Sequence, residues 1–351
     1  MKRIGRYTLE MEQKPWIECY GSVCGKKESQ GPLGACFDKF FDDTTLGEKT
    51  WEKAESRLQT EAVQIALRKG NLEPKDIDYI FAGDLLNQCI SSTFGLRSLG
   101  IPFLGQFGAC STIGQTLAMS AIFVEGGATN RALAVTSSHF CSAERQFRFP
   151  LEYGGQRTPT AQWTVTGAGA AVVSGSDVTG RTAPPPISSS PEHKRVVVEH
   201  ITVGRIADLG IKDANNMGAA MAPAAAQTIA DYFEDTGTGP ADYDLILTGD
   251  LAQVGSDLLY KLLGDHNIDI RDKHNDCGLL IFDREKQDVH AGGSGCGCAA
   301  SVVCAKLFAE MEKGLWHDVL FMPTGALMSP TSSQQGESIP SIAHLLHLKA
   351  N

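Results

Sequence analysis

An α/β fold built from two similar halves is what this sequence predicts, and three observations carry it. Short apolar runs alternate with longer helical stretches, the pattern of layered α/β domains. Segments of the first half recur in the same order in the second, as an internal repeat requires. A Pro- and Ser-rich stretch, 180–195, lies between them and reads as a flexible join. The expected halves are residues 1–185 and 186–351.

The early part of the chain supplies a clear helix. From Thr50 to Lys69, residues Trp51, Ala54, Leu58, Ala62, Ile65 and Ala66 fall on one face, and Gly70 follows as a stop. The recurrence starts with Phe81-Ala82-Gly83-Asp84-Leu85, which matches Leu247-Thr248-Gly249-Asp250-Leu251. Each is preceded by an Asp-rich turn and a short apolar run. Next comes Gly105-Gln106-Phe107-Gly108-Ala109-Cys110-Ser111-Thr112, matched by Ala291-Gly292-Gly293-Ser294-Gly295-Cys296-Gly297-Cys298. Both read as small-residue turns opening a buried helix that ends near a glycine, Gly126 and Gly314. Finally Arg131 to Ser137 matches Asp318 to Gly325, two buried strands ending in polar turns.

Composition bounds the function. The chain has 351 residues, 42% hydrophobic and 21% charged, which suits one large globular domain or two fused similar ones. A formal net charge of -10 argues against a nucleic-acid partner. No apolar run reaches the ~18 residues of a membrane span. The basic start, Met1-Lys2-Arg3-Ile4-Gly5-Arg6, runs into Glu10, Glu12, Gln13 and Lys14 without the apolar core of a signal peptide, so the chain is expected on the cytoplasmic side of its membrane. The ten cysteines then read as reduced thiols. Cys296, Cys298 and Cys304 lack a second pair at zinc-ligand spacing and read as small buried residues. The acidic residues show no EF-hand pattern, so no protein-held metal is expected.

Cys110 stands where a turn opens a buried helix. Unpaired N–H groups and the positive end of the helix dipole there would lower a thiol pKa, which suits a nucleophile. A buried small residue in a tight turn is the other reading of the same residue.

A duplicated α/β half with such a cysteine resembles the thiolase and condensing-enzyme superfamily. Within it, seven segments look like the stage V sporulation protein AD family: Gly31-Pro32-Leu33-Gly34, Ala82 to Gln88, Phe107 to Thr112, Ala143 to Arg148, Met221 to Ala226, Lys273 to Gly278 and Ala291 to Cys296. The resemblance implies a thiolase-like, five-layered αβαβα fold. It also implies binding of pyridine-2,6-dicarboxylate (dipicolinic acid), free or as its calcium chelate, and a part in loading it into the developing spore. It implies a place at the cytoplasmic face, peripheral to the forespore or spore inner membrane, beside other stage V sporulation membrane proteins. A homodimer is compatible with it, and no cofactor is expected.

An acyl-transferring enzyme needs a base for the thiol and donors for the oxyanion. In resembling enzymes a His follows the strand equivalent to Leu245–Thr248, and a His or Asn sits in the glycine turn before the last long helix. Here those segments read Gly249-Asp250-Leu251-Ala252-Gln253 and Gly292-Gly293-Ser294-Gly295. An aspartate cannot replace a neutral imidazole, because its carboxylate would raise the thiol pKa. The expectation is therefore a binding protein with a degenerate site, with an active condensing enzyme using Cys110 as the alternative and a purely structural scaffold as a third reading. His274 and His290 are the candidate substitute bases.

A planar dianion calls for cationic forks and flat walls. Glu144-Arg145-Gln146-Phe147-Arg148-Phe149-Pro150 with Tyr153 offers both, read as a loop beyond a strand end. Arg145, Phe147, Arg148 and Tyr153 are expected to contact ligand, against the alternative of a solvated surface loop. His139 could donate to a carboxylate or be an ordinary satisfied histidine. Asp84, Asn87 and Asp250 sit in the turns after the repeated Gly-Asp-Leu; the two aspartates would hold those turns or orient an arginine. His274 and Gly293 complete the expected pocket.

Overall fold

The computed structural model describes residues 1–148, 157–175 and 194–351, the side chain of Arg148 excepted. The expected boundary at 185/186 and the residue Tyr153 lie outside the described residues.

Ten principal strands form two sets of five. The first set is β1 Trp16–Gly25, β2 Tyr79–Gly83, β3 Phe103–Gly105, β4 Arg131–Ser138 and β5 Gly167–Ser174. The second is β6 Val196–Thr202, β7 Leu245–Gly249, β8 His274–Asp276, β9 Asp318–Ala326 and β10 Leu345–Ala350. Their lateral orders are β1-β5-β4-β2-β3 and β6-β10-β9-β7-β8, the same permutation twice. The directions also repeat. β2 runs parallel to β3 and β4, and β7 runs parallel to β8 and β9. β5 is antiparallel to β4 and β1, and β10 is antiparallel to β9 and β6. A single pairing, Val197 with Trp16, links β6 to β1.

Helices fill three layers around these sheets. The first, α1 Trp51–Gly70, lies outside the first sheet against β1, β5 and β4. Thr50 caps it, its side chain accepting from Lys53 N at 3.3 Å. Gly70 is its last helical residue, and Asn71, with φ of 52°, makes the left-handed turn expected of the glycine. Of the expected face, Ala54, Leu58, Ala62, Ile65 and Ala66 are buried. Helix α2, Thr112–Glu125, packs on β4 and β2 and also on β9 and β10, so it lies between the two sheets. The short α3 is Phe140–Arg148. Outside the second sheet lie α4, Met217–Thr236, and α5, Ala252–Gly264. The other inner helix starts as α6, Cys296–Val302, widens into a π turn over Val303–Leu307 and ends as Phe308–Glu312. The order from one face to the other is αβαβα.

Small residues make the inner layer thin enough for backbone to meet backbone. A Cβ on Gly169 of β5 would stand 2.1 Å from the Ala300 carbonyl oxygen of α6. A Cβ on Gly325 of β9 would stand 2.1 Å from the Gly108 carbonyl oxygen, in the turn that carries Cys110. Cys296, Cys298 and Cys304 are buried in this layer with Ala299 and Ala300. Around it Phe81, Ile113, Leu117, Phe308 and Phe321 are fully buried, each stabilising the fold by about 1.5–3 kcal/mol.

Candidate functional site

Cys110 sits in a turn fixed from several sides. Ala109 before it has φ of 49°, a conformation non-glycine residues adopt only when their surroundings demand it. The demand comes from Thr112, whose Oγ1 accepts from Gly108 N at 3.1 Å and donates to Ala109 O at 2.6 Å. Ser111 Oγ donates to Gly108 O at 2.7 Å. The half-buried thiol faces a cleft of about 60 Å³, lined by Leu85, Phe107, Ala143, Glu144, Phe147, Gln162, Thr164, Met217, Met221, Ser294 and Met328, among others. That is space for about four to six water molecules, the bulk of a small ring. Among the described residues the lining contains no Lys, Arg or His.

The pseudo-symmetric pair Asp84 and Asp250 have opposite fates. Asp84 accepts from Leu86 N at 2.9 Å and from Ser92 N and Oγ at 2.8 and 2.5 Å, so it holds its turn. In the second half that duty belongs to Asp276. Its carboxylate accepts from Thr248 Oγ1 at 2.7 Å, Leu251 N at 3.1 Å, Ala252 N at 2.9 Å and Gly278 N at 2.9 Å. Asp250 is left free to turn inward, with φ of 71° at Asp250 and 50° at Ala252. It is fully buried, and neither carboxyl oxygen meets a donor at hydrogen-bonding geometry. The Cys298 and Cys110 thiols and the Gly295 N–H lie near enough to act on its charge. Burial pushes its pKa well above the usual carboxylate range.

The cysteine is correspondingly unactivated, which corrects the expectation of a lowered pKa at the helix start. Burial first, then the Asp250 carboxyl, raise the Cys110 pKa well above its ordinary value. The Gly295 N–H and Cys110's own N–H pull the other way without prevailing. Two donors suited to an oxyanion are thus present at a thiol that keeps its proton.

Neither candidate substitute base is available. His274 is held through both ring nitrogens, Nε2 with Thr248 Oγ1 and Nδ1 with the Tyr260 hydroxyl, each at 2.8 Å, and burial lowers its pKa to about 4. His290 lies at the surface with Nε2 3.1 Å from Asp288 Oδ1. His139, expected near a ligand carboxylate, is also engaged at both nitrogens: Nε2 with Thr44 O at 2.7 Å, while Nδ1 accepts from Cys141 N at 3.2 Å. It is the ordinary satisfied histidine of the two readings.

The described part of the arginine–phenylalanine segment, through Arg148, belongs to helix α3 and not to a loop, and the helical period sorts it. Ala143, Glu144 and Phe147 line the Cys110 cleft. Arg145 faces away, 49% exposed, paired with Glu52 and 5.3 Å over the Trp51 ring. Gln146 ties the helix to the Asp84 turn, its Oε1 accepting from Asn87 N at 3.0 Å and its Nε2 donating to Leu85 O at 2.9 Å. Asn87 itself is exposed. The Arg148 side chain is outside the described residues. Gly293 is a packing position in the short strand Gly293–Ser294, paired with Trp163–Thr164; the lining residues are its successors, Ser294 and Gly295. Of the expected residues the structure therefore brings together Cys110, Phe147 and, behind the thiol, Asp250. Gln162, Thr164, Met217, Met221 and Met328 join them unforeseen. The spacing of Met217 and Met221, four apart on one helix, was the one sequence signal for any of these.

Solved structures share this architecture. The chain superposes on 3-oxoacyl-[acyl-carrier-protein] synthase III from Aquifex aeolicus VF5 with a TM-score of 0.56 and 16% identity, covering 95% of this chain and 99% of that one. It superposes on a single-residue variant of Xanthomonas campestris OleA bound with cerulenin with a TM-score of 0.57 and 16% identity, covering 95% and 97%. At such identity these likenesses show the thiolase-like fold. Sequence likeness is much closer to the Stage V sporulation protein AD of Bacillus subtilis (strain 168), 47% identical over 344 residues, 98% of this chain and 97% of that protein. The model of the Stage V sporulation protein AD family matches residues 5–349. By both measures the chain belongs to the stage V sporulation protein AD family, on a thiolase-like fold.

Proposed function

We propose that this sporulation protein uses its thiolase-like cleft to bind a small planar ligand, pyridine-2,6-dicarboxylate, and does not catalyse acyl transfer. The observation that carries the reading is Asp250: a buried carboxyl standing beside Cys110, where an enzyme would need an imidazole. General-base activation of a thiol requires an acceptor that is unprotonated at the working pH, a role most often taken by an imidazole. A protonated carboxyl can instead donate a hydrogen bond to a bound oxygen. Phe107, Phe147, Met217 and Met328 supply flat or adaptable apolar walls, and Gln162, Thr164 and Ser294 supply polar groups.

The lining also bears on the form of the ligand. Among the described residues the lining supplies no Lys, Arg or His to offset the desolvation of a free dianion. The 1:1 calcium chelate is uncharged and avoids that penalty. Calcium then arrives with the ligand; among the described residues no group of three or more His, Cys, Asp or Glu could hold a metal. Calorimetry with preformed calcium dipicolinate beside sodium dipicolinate in EDTA tests this. Saturable heat with the chelate supports the reading; silence from both at millimolar ligand sinks it. Stronger binding of the sodium salt would overturn the proposed form.

We place the protein's role in loading this ligand into the spore, at the cytoplasmic face of the forespore membrane beside other stage V membrane proteins. No described helix is long and apolar enough to cross a membrane, so that association would be peripheral. Self-association has its own support. Strand β3 lies at the end of its sheet, and Phe94, Leu104 and Phe107 are 48%, 43% and 45% exposed around it. A second copy pairing there would cover Phe107 at the cleft wall. Light scattering of a Leu104→Lys variant checks this: a dimer in the parent and a monomer in the variant support it, and a monomeric parent contradicts it.

A further inference from the structure

The two halves clamp equivalent turns with one glutamine each. In the first half, Gln146 Nε2 donates to Leu85 O at 2.9 Å and its Oε1 accepts from Asn87 N at 3.0 Å, so both ends of the amide are used. In the second, Gln162 Nε2 donates to the equivalent carbonyl, Leu251 O, at 3.1 Å, and to Asp250 O at 2.7 Å. Two carbonyl partners fix which end of the amide faces the turn. Gln253 stands two residues past Leu251, as Asn87 stands two past Leu85, but it gives its N–H to Ala291 O at 2.9 Å. Gln162 Oε1 is left without a donor.

A residue serving stability alone would not be built this way. Gln162 is 2% exposed at the wall of the Cys110 cleft, and a buried acceptor without a partner costs free energy that an apolar side chain of the same shape avoids. What the amide secures is the turn. Asp250 and Ala252 are left-handed, with φ of 71° and 50°, whereas Leu86, in the place of Ala252, has φ of -83°. Left-handed backbone at such residues persists only where the surroundings over-determine it. Asp276 holds this turn by its N–H groups, at Leu251 and Ala252, and Gln162 holds it by its carbonyls. Leu251 O has a second donor, Gly255 N at 3.0 Å; among the described residues Gln162 alone donates to Asp250 O.

We propose that Gln162 is the positioning residue of the cleft: by gripping the carbonyls of Asp250 and Leu251 it keeps the turn left-handed and the Asp250 carboxyl turned inward beside Cys110. Without that grip the Asp250 peptide is free to rotate and its carboxyl to reach water, where it titrates as an ordinary acid. The proposal rests on the reading of Asp250 as a buried acid at the ligand cleft.

The pH profile of stability reads this out. Tm is measured from pH 4.5 to 7 for the parent and Asp250→Asn, each with Gln162 in place and with Gln162→Met. With Gln162 in place the gap between the two should widen by about 2 °C per pH unit, because a carboxyl with a raised folded pKa loses its contribution as pH rises toward that pKa. With Gln162→Met the gap should lose at least half of that slope. Gln162→Asn, one methylene short of Asp250 O, should behave alike and retains a polar side chain should the Met variant not fold. A residue that only stabilised the fold would lower Tm in both proteins and leave the slope unchanged. Gln146→Met is the control: it loosens the first-half turn, so Tm should fall and the slope should stay. An unchanged slope in the Gln162 variants would overturn the proposal and leave the reading of Asp250 standing. A gap that never widens, even with Gln162 in place, would overturn both. Failure of dipicolinate to bind is read separately, by calorimetry, and leaves the slope comparison intact.

Discussion

Replacing Asp250 by Asn isolates the group on which the reading of the cleft turns. Asparagine has nearly the same shape and tolerates the left-handed backbone at this position, φ of 71°. The substitution therefore removes the ionisable proton and little else. The folded protein holds that proton because burial raises the carboxyl pKa above its ordinary 3.8. The unfolded chain releases it near pH 4. A carboxyl whose folded pKa is raised contributes its full stability below the unfolded pKa and loses it as pH rises toward the folded one. Across that window the parent should lose about 1.4 kcal/mol per pH unit relative to Asp250→Asn. For 351 residues the unfolding entropy near Tm is about 0.7 kcal/mol/K, so the gap in Tm should widen by about 2 °C per pH unit. Differential scanning fluorimetry of both proteins from pH 4.5 to 7 gives the difference, with the effects of carboxyls remote from Asp250 cancelling between them. A gap that stays constant across that range would show Asp250 to be ionised in the fold, and the argument that the site holds a protonated acid would be wrong.

Other consequences are simpler to read. Arg145→Ala should leave ligand affinity unchanged and cost at most about 1 kcal/mol of stability, because Arg145 pairs with Glu52 at the surface; a large loss of affinity in calorimetry would return it to the site. Met217→Trp should fill the cleft and weaken dipicolinate binding about tenfold or more while Tm changes little, since Met217 is half-buried at the start of α4. Gly169→Ala should destabilise by about 1–3 kcal/mol or more in urea unfolding, because its Cβ would stand 2.1 Å from Ala300 O.

The duplicated architecture was legible because each half buries the same parallel strands behind the same Gly-Asp turn. Asp84 and Asp250 marked equivalent places, and β2 and β7 occupy equivalent places in their sheets. Their different roles were not legible. Asp250 is released from its turn by Asp276, 26 residues later, and only the folded neighbourhood of β7 and β8 reveals that exchange. The Arg/Phe segment misled for a local reason. Residues two apart look alternating, but in a helix Phe147 joins Ala143 on one face and Arg145 turns to the other. The grip of Gln162 on the Asp250 turn gave no sequence signal, because the two are 88 residues apart in the chain.

The central claim is that the fold binds and does not turn over acyl groups. Mass spectrometry of the protein incubated with acetyl-CoA, paired with steady-state release of free CoA, tests it most directly. The account predicts neither stoichiometric acylation of Cys110 nor multiple turnovers, because burial keeps the thiol protonated and no imidazole lines the described cleft. Stoichiometric acylation at Cys110 with repeated release of CoA, abolished in Cys110→Ser, would contradict it.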